Sequence, residues 1–593
     1  MLQSKIDQWL DERINAPCQR QLVVIHAEQD WARQQALAIL DKLNLTRSLW
    51  CGNSADNQPY IQAKQYHQHL GREYQALVYN AYDGLRANAL AALSGVVAQQ
   101  GLMIIICPPL GKWADFNDPQ KPERISFGYT TEARHSLFVK WLKQHIEQDN
   151  DVVLISQEHF RGHNVPLHKQ LQQVTSPYKT LDQQHAVEAI LTLVDQSNPA
   201  PLVITADRGR GKSSALGIAA AQLLNNGHQR ILVTAPIFAS VSQLFQHAEE
   251  GLPGSEQQRQ ALILGHQRIE FQPVDRILAE QPQADILMID EAASIPAPLL
   301  QALTRHYSKI VFSTTIHGYE GSGRGFEIRF KGYLQHHFPA YQRLHLQQPI
   351  RWQTGDPLEK FWFDTLLLKS VDSQTSYQAG QDLQVELIDQ PSLASNPKLL
   401  TQIFCLLINA HYQTTPDDLV RMLDAPDQQV FVLRQQNHLL GAALANLEGT
   451  EILRPLAVAI SEGKRRVKGH LLPQNLAMNF GRHDLVCYQY LRIIRIAIAP
   501  EFQFQGLGQY FIRQLTQHAR KKRYDFIGSS FGASPQLLAF WSKAGFHLVR
   551  QGQKKDASSG EFSAFMLAGL HQGAVKLRQA LTDIYQQQQG EQP

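Results

Sequence analysis

The five cysteines, Cys18, Cys51, Cys107, Cys405 and Cys487, stand singly, with no C-x-x-C pair and no zinc-ligand spacing. That pattern excludes a disulfide framework and a thiolate metal site, and it fits a reducing compartment. No apolar run approaches the ~18 residues a membrane span requires. The N-terminus carries Asp7, Asp11 and Glu12 and lacks the apolar core of a signal peptide. A soluble, cytoplasmic chain is therefore expected, with no membrane and no obligate protein partner evident. Formal net charge is only +3 over 593 residues, so any nucleic-acid site must be a local patch rather than a global field. Internal repeats are absent, and low complexity is confined to a glutamine-rich tail after Tyr585, expected to fray.

What is present is long enough for roughly three to five domains. The expected class is multidomain α/β. Residues 1–172 alternate short apolar runs, at 22–26, 76–79, 102–107 and 152–156, with amphipathic helices. Such alternation predicts a parallel α/β layer domain. No motif in it carries recognisable chemistry. A second α/β domain is expected over 173–375, a third α/β domain over 376–570, and a C-terminal helix with its frayed tail over 571–593.

The second domain opens its chemistry at residues 202–215. An apolar strand runs into A-D-R-G-R-G-K-S, followed by a helix bearing Leu216, Ala219, Ala220 and Leu223 on one face. This is a P-loop in which Ala206 stands where glycine is usual. Backbone amides of Asp207, Arg208, Gly209, Arg210, Gly211 and Lys212 are placed to cradle phosphates. The Lys212 ammonium would reach the β and γ oxygens, and Ser213 would hold Mg²⁺. The run I-L-M-I-D-E sets Asp290 at a strand end for Mg²⁺ and Glu291 to polarise water. D-E-A-A resembles the D-E-A-D/H box of helicases, and Ser313-Thr314-Thr315 resembles their coupling motif. In T-L-D-Q-Q, Gln184 is preferred over Gln183 as an adenine reader, since an amide can both donate and accept. A second helicase lobe does not fit after Arg351, so this is a one-lobed ATPase, and Arg351 in P-I-R-W is the arginine expected at the nucleotide phosphates. The loop G-Y-E-G-S-G-R-G at 318–325, with Tyr319 and Arg324, is equally consistent with base stacking and with a plain flexible loop.

The third domain is organised around residues 492–515, R-I-I-R-I-A-I-A-P-E-F-Q-F-Q-G-L-G-Q-Y-F-I-R-Q-L. A strand, a glycine-opened turn and an amphipathic helix follow one another, so amides at the helix start can close on a pyrophosphate. Gln503-x-x-Gly506-x-Gly508 resembles the acetyl-CoA loop of GNAT N-acetyltransferases. Two basic runs lie in the same domain. Lys464, Arg465, Arg466 and Lys468 are read as RNA or CoA-phosphate contacts, and residues 520–523 as a second, weaker case.

Taken together, the P-loop, D-E-A-A, G-Y-E-G-S-G-R-G-F, P-I-R-W, K-R-R-V-K-G-H-L-L-P-Q-N-L and R-I-A-I-A-P-E-F-Q-F-Q-G-L-G make the chain resemble the bacterial tRNA(Met) cytidine acetyltransferases over nearly its whole length. The resemblance implies acetyl transfer from acetyl-CoA to N4 of the wobble cytidine of elongator tRNA(Met), gated by ATP. It also implies a nucleotide site at Gln184, Ala206 through Ser214 and Ala215, and Arg351. The implied acetyl-CoA site is Ile496, Ala497, Ile498, Gln503, Phe504, Gln505, Gly506, Leu507, Gly508 and Gln509. Two further contacts fall at Gln536 and Lys543, where a Glu and an Arg are the family pattern.

The exocyclic N4 is a weak nucleophile that sheds a proton as it attacks, so a base would help. Glu448 and His470 are the candidates. The thioester is already activated, so ATP is expected to do conformational work. Two rival readings remain: an RNA remodelling ATPase with an inactive GNAT-like domain, and a protein or small-amine acetyltransferase with a regulatory ATPase. An rRNA cytidine is a closer variant.

Overall fold

The computed structural model describes residues 2–53, 60–130, 135–167, 174–315, 330–368, 382–410, 415–555 and 561–590. Two compact units result, one of residues 1–111, 144–368 and 412–415, the other of 112–143, 369–411 and 416–593. Residues 112–143 thus group with the C-terminal unit, although they lie inside the expected first domain.

The first unit holds two sheets. Its first sheet uses β1 (Gln21–His26), β2 (Ser48–Cys51), β3 (Tyr60–Ile61), β4 (Tyr74–Asn80), β5 (Val97–Cys107), β6 (Val153–Ile155) and β7 (Phe160–Arg161), in the order β3-β2-β4-β5-β1-β6-β7. Pairing is parallel except between β6 and β7. The central strands are the apolar runs seen in sequence. Leu22, Val23, Val24 and Ile25 are all buried, as a parallel strand covered on both faces requires.

The second sheet comprises β8 (Leu202–Ala206), β9 (Arg230–Thr234), β10 (Glu256–Gln258), β11 (Ala261–Leu264), β12 (Gln267–Phe271), β13 (Ile286–Ile289), β14 (Ile310–Thr315) and β15 (Gln342–Leu346). The order is β10-β11-β12-β9-β13-β14-β8-β15. Successive residues feed opposite layers: Val203 packs with Leu232, Leu287 and Phe312, and Ile204 with Val233, Met288 and Val311. Strand alternation with apolar residues on both faces fixes the sheet at the centre of three layers.

The second unit is one sheet of β16 (Leu383–Ile388), β17 (Gln428–Gln435), β18 (His438–Gly449), β19 (Gln489–Ile498), β20 (Phe526–Gly532), β21 (His547–Lys555) and β22 (Phe562–Gly569), ordered β16-β17-β18-β19-β20-β22-β21. It is antiparallel except for β19 with β20. Leu507, Phe511, Ile512 and Leu515 of the helix Leu507–Lys521 are buried against one face. Truncating such a leucine to alanine costs about 2–5 kcal/mol. The other face is covered by the helix Leu471–Phe480, through Leu472, Leu476 and Ala477, and by the helix Gln572–Gly590 through Leu581. That last helix runs through the glutamine-rich segment to Gly590, where fraying was expected. Glutamine is a good helix former. Among the described residues no helix is long and apolar enough to cross a membrane.

Candidate functional site

In the first unit, β8 ends at Ala206, which pairs with Thr315 and Leu346. Ala206 is therefore extended sheet, and its Cβ needs no glycine. The left-handed residues are Gly209 (φ 77°) and Gly211 (φ 84°), the latter capping the helix Lys212–Asn225. Amides at that helix start have no intrahelical acceptor and face the loop. Lys212 Nζ donates to Thr315 Oγ1 at 2.9 Å. The Ser213 hydroxyl donates to Asp290 Oδ2 at 2.6 Å, and Ser313 Oγ to Asp290 Oδ1 at 2.9 Å. The Thr315 hydroxyl donates in turn to Glu291 at 3.3 Å. Burial, and then the neighbouring Glu291 carboxylate, push the Asp290 carboxyl above its ordinary range. The residues predicted from two separate motifs are thus in direct contact.

The geometry bears on two expectations at this site. Gln183, fully buried, accepts from Lys179 N and donates to Ser214 Oγ at 2.9 Å, whereas Gln184 turns to Glu188 on the outer face. Neighbours in a helix point about 100° apart, so only one can reach the loop. Arg351 lies beside Glu73 (3.4 Å) and Gly71 O. Burial lowers its pKa, against the pull of Glu73. Two members of P-I-R-W touch the loop: Ile350, whose N–H donates to Gly209 O at 3.0 Å, and Trp352, whose ring lies 2.9 Å from where a Cβ on Gly209 would fall. Sequence gave no signal for this beyond an aromatic at the end of a motif. The loop with Tyr319 and Arg324 lies outside the described residues.

In the second unit, β19 pairs with β20 only from Tyr490 with Phe526 to Ile493 with Ser529. Beyond that, β20 continues along β22 through Gly532, while Ile496, Ala497 and Ile498 pair only with Ala443, Ala442 and Gly441 of β18. A register shift at Leu444/Ala445 leaves Ile494 as an extra residue in β19, and such a bulge bends and twists its strand. The result is a wedge between two parallel strands, lined on one side by the main chain of residues 496–498, which among the described residues has no pairing with β20. At its mouth, Gly506 (φ 81°) caps the helix Leu507–Lys521, and a Cβ there would meet nothing within 4 Å. Tyr510 N is the first amide to bond within the helix, to Gly506 O, which leaves those of Leu507, Gly508 and Gln509 directed outward. Gln503 Nε2 donates to Ile498 O at 3.0 Å, and Gln509 Nε2 to Phe540 O at 2.7 Å, tying the loop to both neighbours. Phe504 is fully exposed at φ 62°, and Gln505 donates to Glu501 O.

Comparison with known proteins decides between the readings. Residues 3–157 match the family described as tRNA(Met) cytidine acetyltransferase TmcA, N-terminal. Residues 203–369 match RNA cytidine acetyltransferase NAT10/TcmA, helicase domain, and residues 402–525 and 516–571 match GNAT acetyltransferase 2. A relative from Nitrosococcus halophilus, named tRNA(Met) cytidine acetyltransferase TmcA, is 38% identical over 92% of this chain and 75% of its own length. The Vibrio cholerae relative of the same name is 36% identical over 86% and 68%. The chain belongs to the TmcA family. A more distant relative of that name, from Haloarcula marismortui, is 29% identical over 93% of this chain and 74% of its own length.

The two residues expected as bases in this TmcA-family chain are already committed. Glu448, 1% exposed, accepts from Arg492 Nε at 2.5 Å and from Leu472 N at 2.9 Å. It lies opposite Tyr490, six residues from Ile496 and so roughly 20 Å along the strand from the wedge's open end. His470, fully buried at φ 52°, accepts from Gly449 N on Nδ1 and bonds Phe127 O through Nε2. That assigns its proton to Nε2 and leaves no free basic nitrogen. Both residues hold the insertion between β18 and β19 in place. Gln536 and Lys543 are exposed at opposite ends of the helix Pro535–Lys543.

The first basic run is built rather than loose. Val467 is buried, its N–H donating to Gln474 Oε1, while Gln474 Nε2 donates back to Val467 O and to Gly469 O. Lys468 O accepts from Phe127 N. Lys464, Arg465, Arg466 and Lys468 are exposed around this anchor, with Lys464 paired to Glu462 at 2.9 Å. Arg520 and Lys521 end the helix Leu507–Lys521, where cations suit the helix dipole.

Proposed function

We propose that this protein transfers acetyl from acetyl-CoA to N4 of the wobble cytidine of elongator tRNA(Met), forming N4-acetylcytidine, with ATP hydrolysis gating access to the base. The observation that carries the reading is the wedge at Ile494 to Ile498 opening over a glycine-capped helix start, in the same chain as an assembled Lys212–Ser213–Asp290–Glu291 cluster. In this reading the amides of Leu507, Gly508 and Gln509 take the CoA pyrophosphate. Those of residues 496–498 take the thioester oxygen as charge develops on it. N4 attacks the thioester carbon, the C–S bond breaks, and the proton lost by nitrogen balances the one gained by the departing sulfur. Neither Glu448 nor His470 carries that proton.

ATP would lie along Asp207 to Ala215, with Lys212 at its phosphates. The adjacency of the Ser213 hydroxyl to the buried Asp290 carboxylate suits a divalent cation. Magnesium held there by Ser213 and Asp290 would neutralise phosphate charge. Glu291 is placed to polarise water. Lys464, Arg465, Arg466 and Lys468 would meet the tRNA backbone. The four sequence-defined domains, and a cytoplasmic location, belong to the same proposal. The test incubates the protein with total tRNA, ATP and labelled acetyl-CoA, then digests the RNA and identifies the labelled nucleoside. Label in N4-acetylcytidine of tRNA(Met) supports the reading. Label on peptides or small amines alone, or ATP turnover without acetyl-CoA binding, would replace it with one of the rivals.

A further inference from the structure

The phosphate loop is braced from the first sheet. Arg20, just before β1, is 1% exposed and uses its guanidinium fully. Its Nε and Nη2 grip Asp356 at 3.1 and 2.8 Å, and its Nη1 donates to Ser94 O and Val97 O. The flat face of the same guanidinium lies 3.6 Å from the centre of the Trp352 ring. Beyond that ring is Gly209, and Gly209 O accepts from Ile350 N at 3.0 Å. Asp356 also accepts from Glu359 N as the cap of the helix Pro357–Thr365, and Glu359 pairs with Arg210 of the loop at 2.9 Å. Gly209 and Arg210 are therefore held by two arms that share one buried ion pair.

We propose that Arg20 and Trp352 are positioning residues that set the shape of the phosphate loop, so that nucleotide affinity depends on an arginine of the first sheet. Trp352 Nε1 is buried and, among the described residues, without a hydrogen-bond partner, so no polar bond to them orients the indole. Its angle is set by packing and by the stacked cation. Gly209 sits at φ 77°, a conformation with nearby alternatives that a rigid ring behind it removes. A buried ion pair is by itself weak evidence of stabilisation, because apolar replacements of both partners often do as well. Using the guanidinium's edge for Asp356 and its face for Trp352 gives the pair a task that apolar side chains could not perform.

The inference rests on the reading of residues 206–215 as a nucleotide site, and its test separates the two. ATP affinity by calorimetry and the KM and kcat of ATP hydrolysis are measured for the parent, Trp352→Ala, Trp352→Phe, and the double variant Arg20→Gln/Asp356→Asn. The double variant removes both charges together and keeps a capping side chain. Unfolding midpoints without nucleotide and acetyl-CoA affinity serve as controls for folding. Trp352→Ala and the double variant should weaken ATP binding roughly tenfold or more, with kcat less affected. Trp352→Phe keeps a ring for Arg20 but lacks the Cη2, Cζ2 and Cζ3 atoms that stand against Gly209, so it should stay closer to Trp352→Ala than to the parent. If Trp352→Ala, or the double variant, binds ATP as the parent does, the positioning role is overturned. If Trp352→Phe binds ATP as the parent does, contact of the indole edge with Gly209 is not what the loop needs, and the inference also falls. A parent that binds no ATP overturns the nucleotide reading itself.

Discussion

Replacing Gly508 by glutamate tests the acetyl-CoA loop most directly. Gly508 sits in the first turn of the helix Leu507–Lys521, and a Cβ on it would come within 3.1 and 3.3 Å of two carbons of the Phe540 ring. The restriction therefore comes from the helix Pro535–Lys543 rather than from the open side of the loop. A β-carbon alone would need the ring to yield by a few tenths of an ångström. A glutamate must push the helix start away from Phe540 or turn its charge toward the outward amides. Either way, two phosphate contacts worth roughly 1.5–3 kcal/mol each are lost, which lowers affinity by about two to four orders of magnitude. Gly506→Ala is the matched control: it meets no neighbour and carries only the left-handed strain of φ 81°, about 1–2 kcal/mol. Calorimetry with acetyl-CoA and a phosphate-release assay on each variant decide the matter. Gly508→Glu should lose acetyl-CoA binding and acetylation, with ATP hydrolysis intact. Parental acetyl-CoA affinity in this variant would mean that the site lies elsewhere.

Lys212→Ala should abolish ATP hydrolysis and most tRNA acetylation, with acetyl-CoA affinity unchanged; full acetylation by this variant would end the case for an obligatory ATPase. Asp290→Asn should also lose ATP turnover, yet its unfolding midpoint without nucleotide should equal or exceed the parent's. The folded-state pKa of Asp290 is raised, so its ionisation opposes folding as pH rises above the ordinary carboxylate range, and a neutral amide avoids that cost. A clearly lower midpoint at neutral pH would show the carboxylate to be stabilising instead. Gln183→Ala should raise the KM for ATP by freeing Ser214, and Gln184→Ala should not; ATPase titrations giving the reverse order would reinstate Gln184. Arg465→Ala/Arg466→Ala should lower the slope of log affinity for tRNA against log salt by about 1.5, and filter binding with an unchanged slope would remove these residues from the interface.

The sequence made the grip on phosphate legible because its residues are contiguous. A-D-R-G-R-G-K-S and Q-x-x-G-x-G each announce a strand, a turn and a helix in order, and all three sheets contain the apolar runs expected of them. Where side-chain phase mattered, the residues alone were ambiguous. Gln183 and Gln184 differ by one step of a helix, and only the buried one meets Ser214. In P-I-R-W the charged residue drew the assignment, while the geometry gives contact with the loop to its neighbours Ile350 and Trp352. The wedge depends on where β20 stops pairing with β19 and on the extra residue Ile494. Pairing between segments some 30 residues apart leaves no local pattern to read.

The bonds that Glu448 and His470 make follow from the same limit. Glu448 and His470 are titratable and lie close in sequence to the basic run, which makes them attractive for proton transfer. Both also serve an insertion whose chain ends must be satisfied once buried. Glu448 meets Leu472 N at the start of the helix Leu471–Phe480 while balancing Arg492, and His470 joins Gly449 N to Phe127 O. A buried carboxylate that has lost either partner would be costly, so Glu448 serves the fold as a joint. At the phosphate loop Lys212, Ser213 and Asp290 work beside main-chain amides, and in the wedge the groups left to act on the thioester are main-chain amides. These are visible in sequence only through the glycines that shape them, Gly209, Gly211 and Gly506 at positive φ. Catalysis built this way should tolerate most single side-chain changes in the wedge and fail on changes that move its backbone.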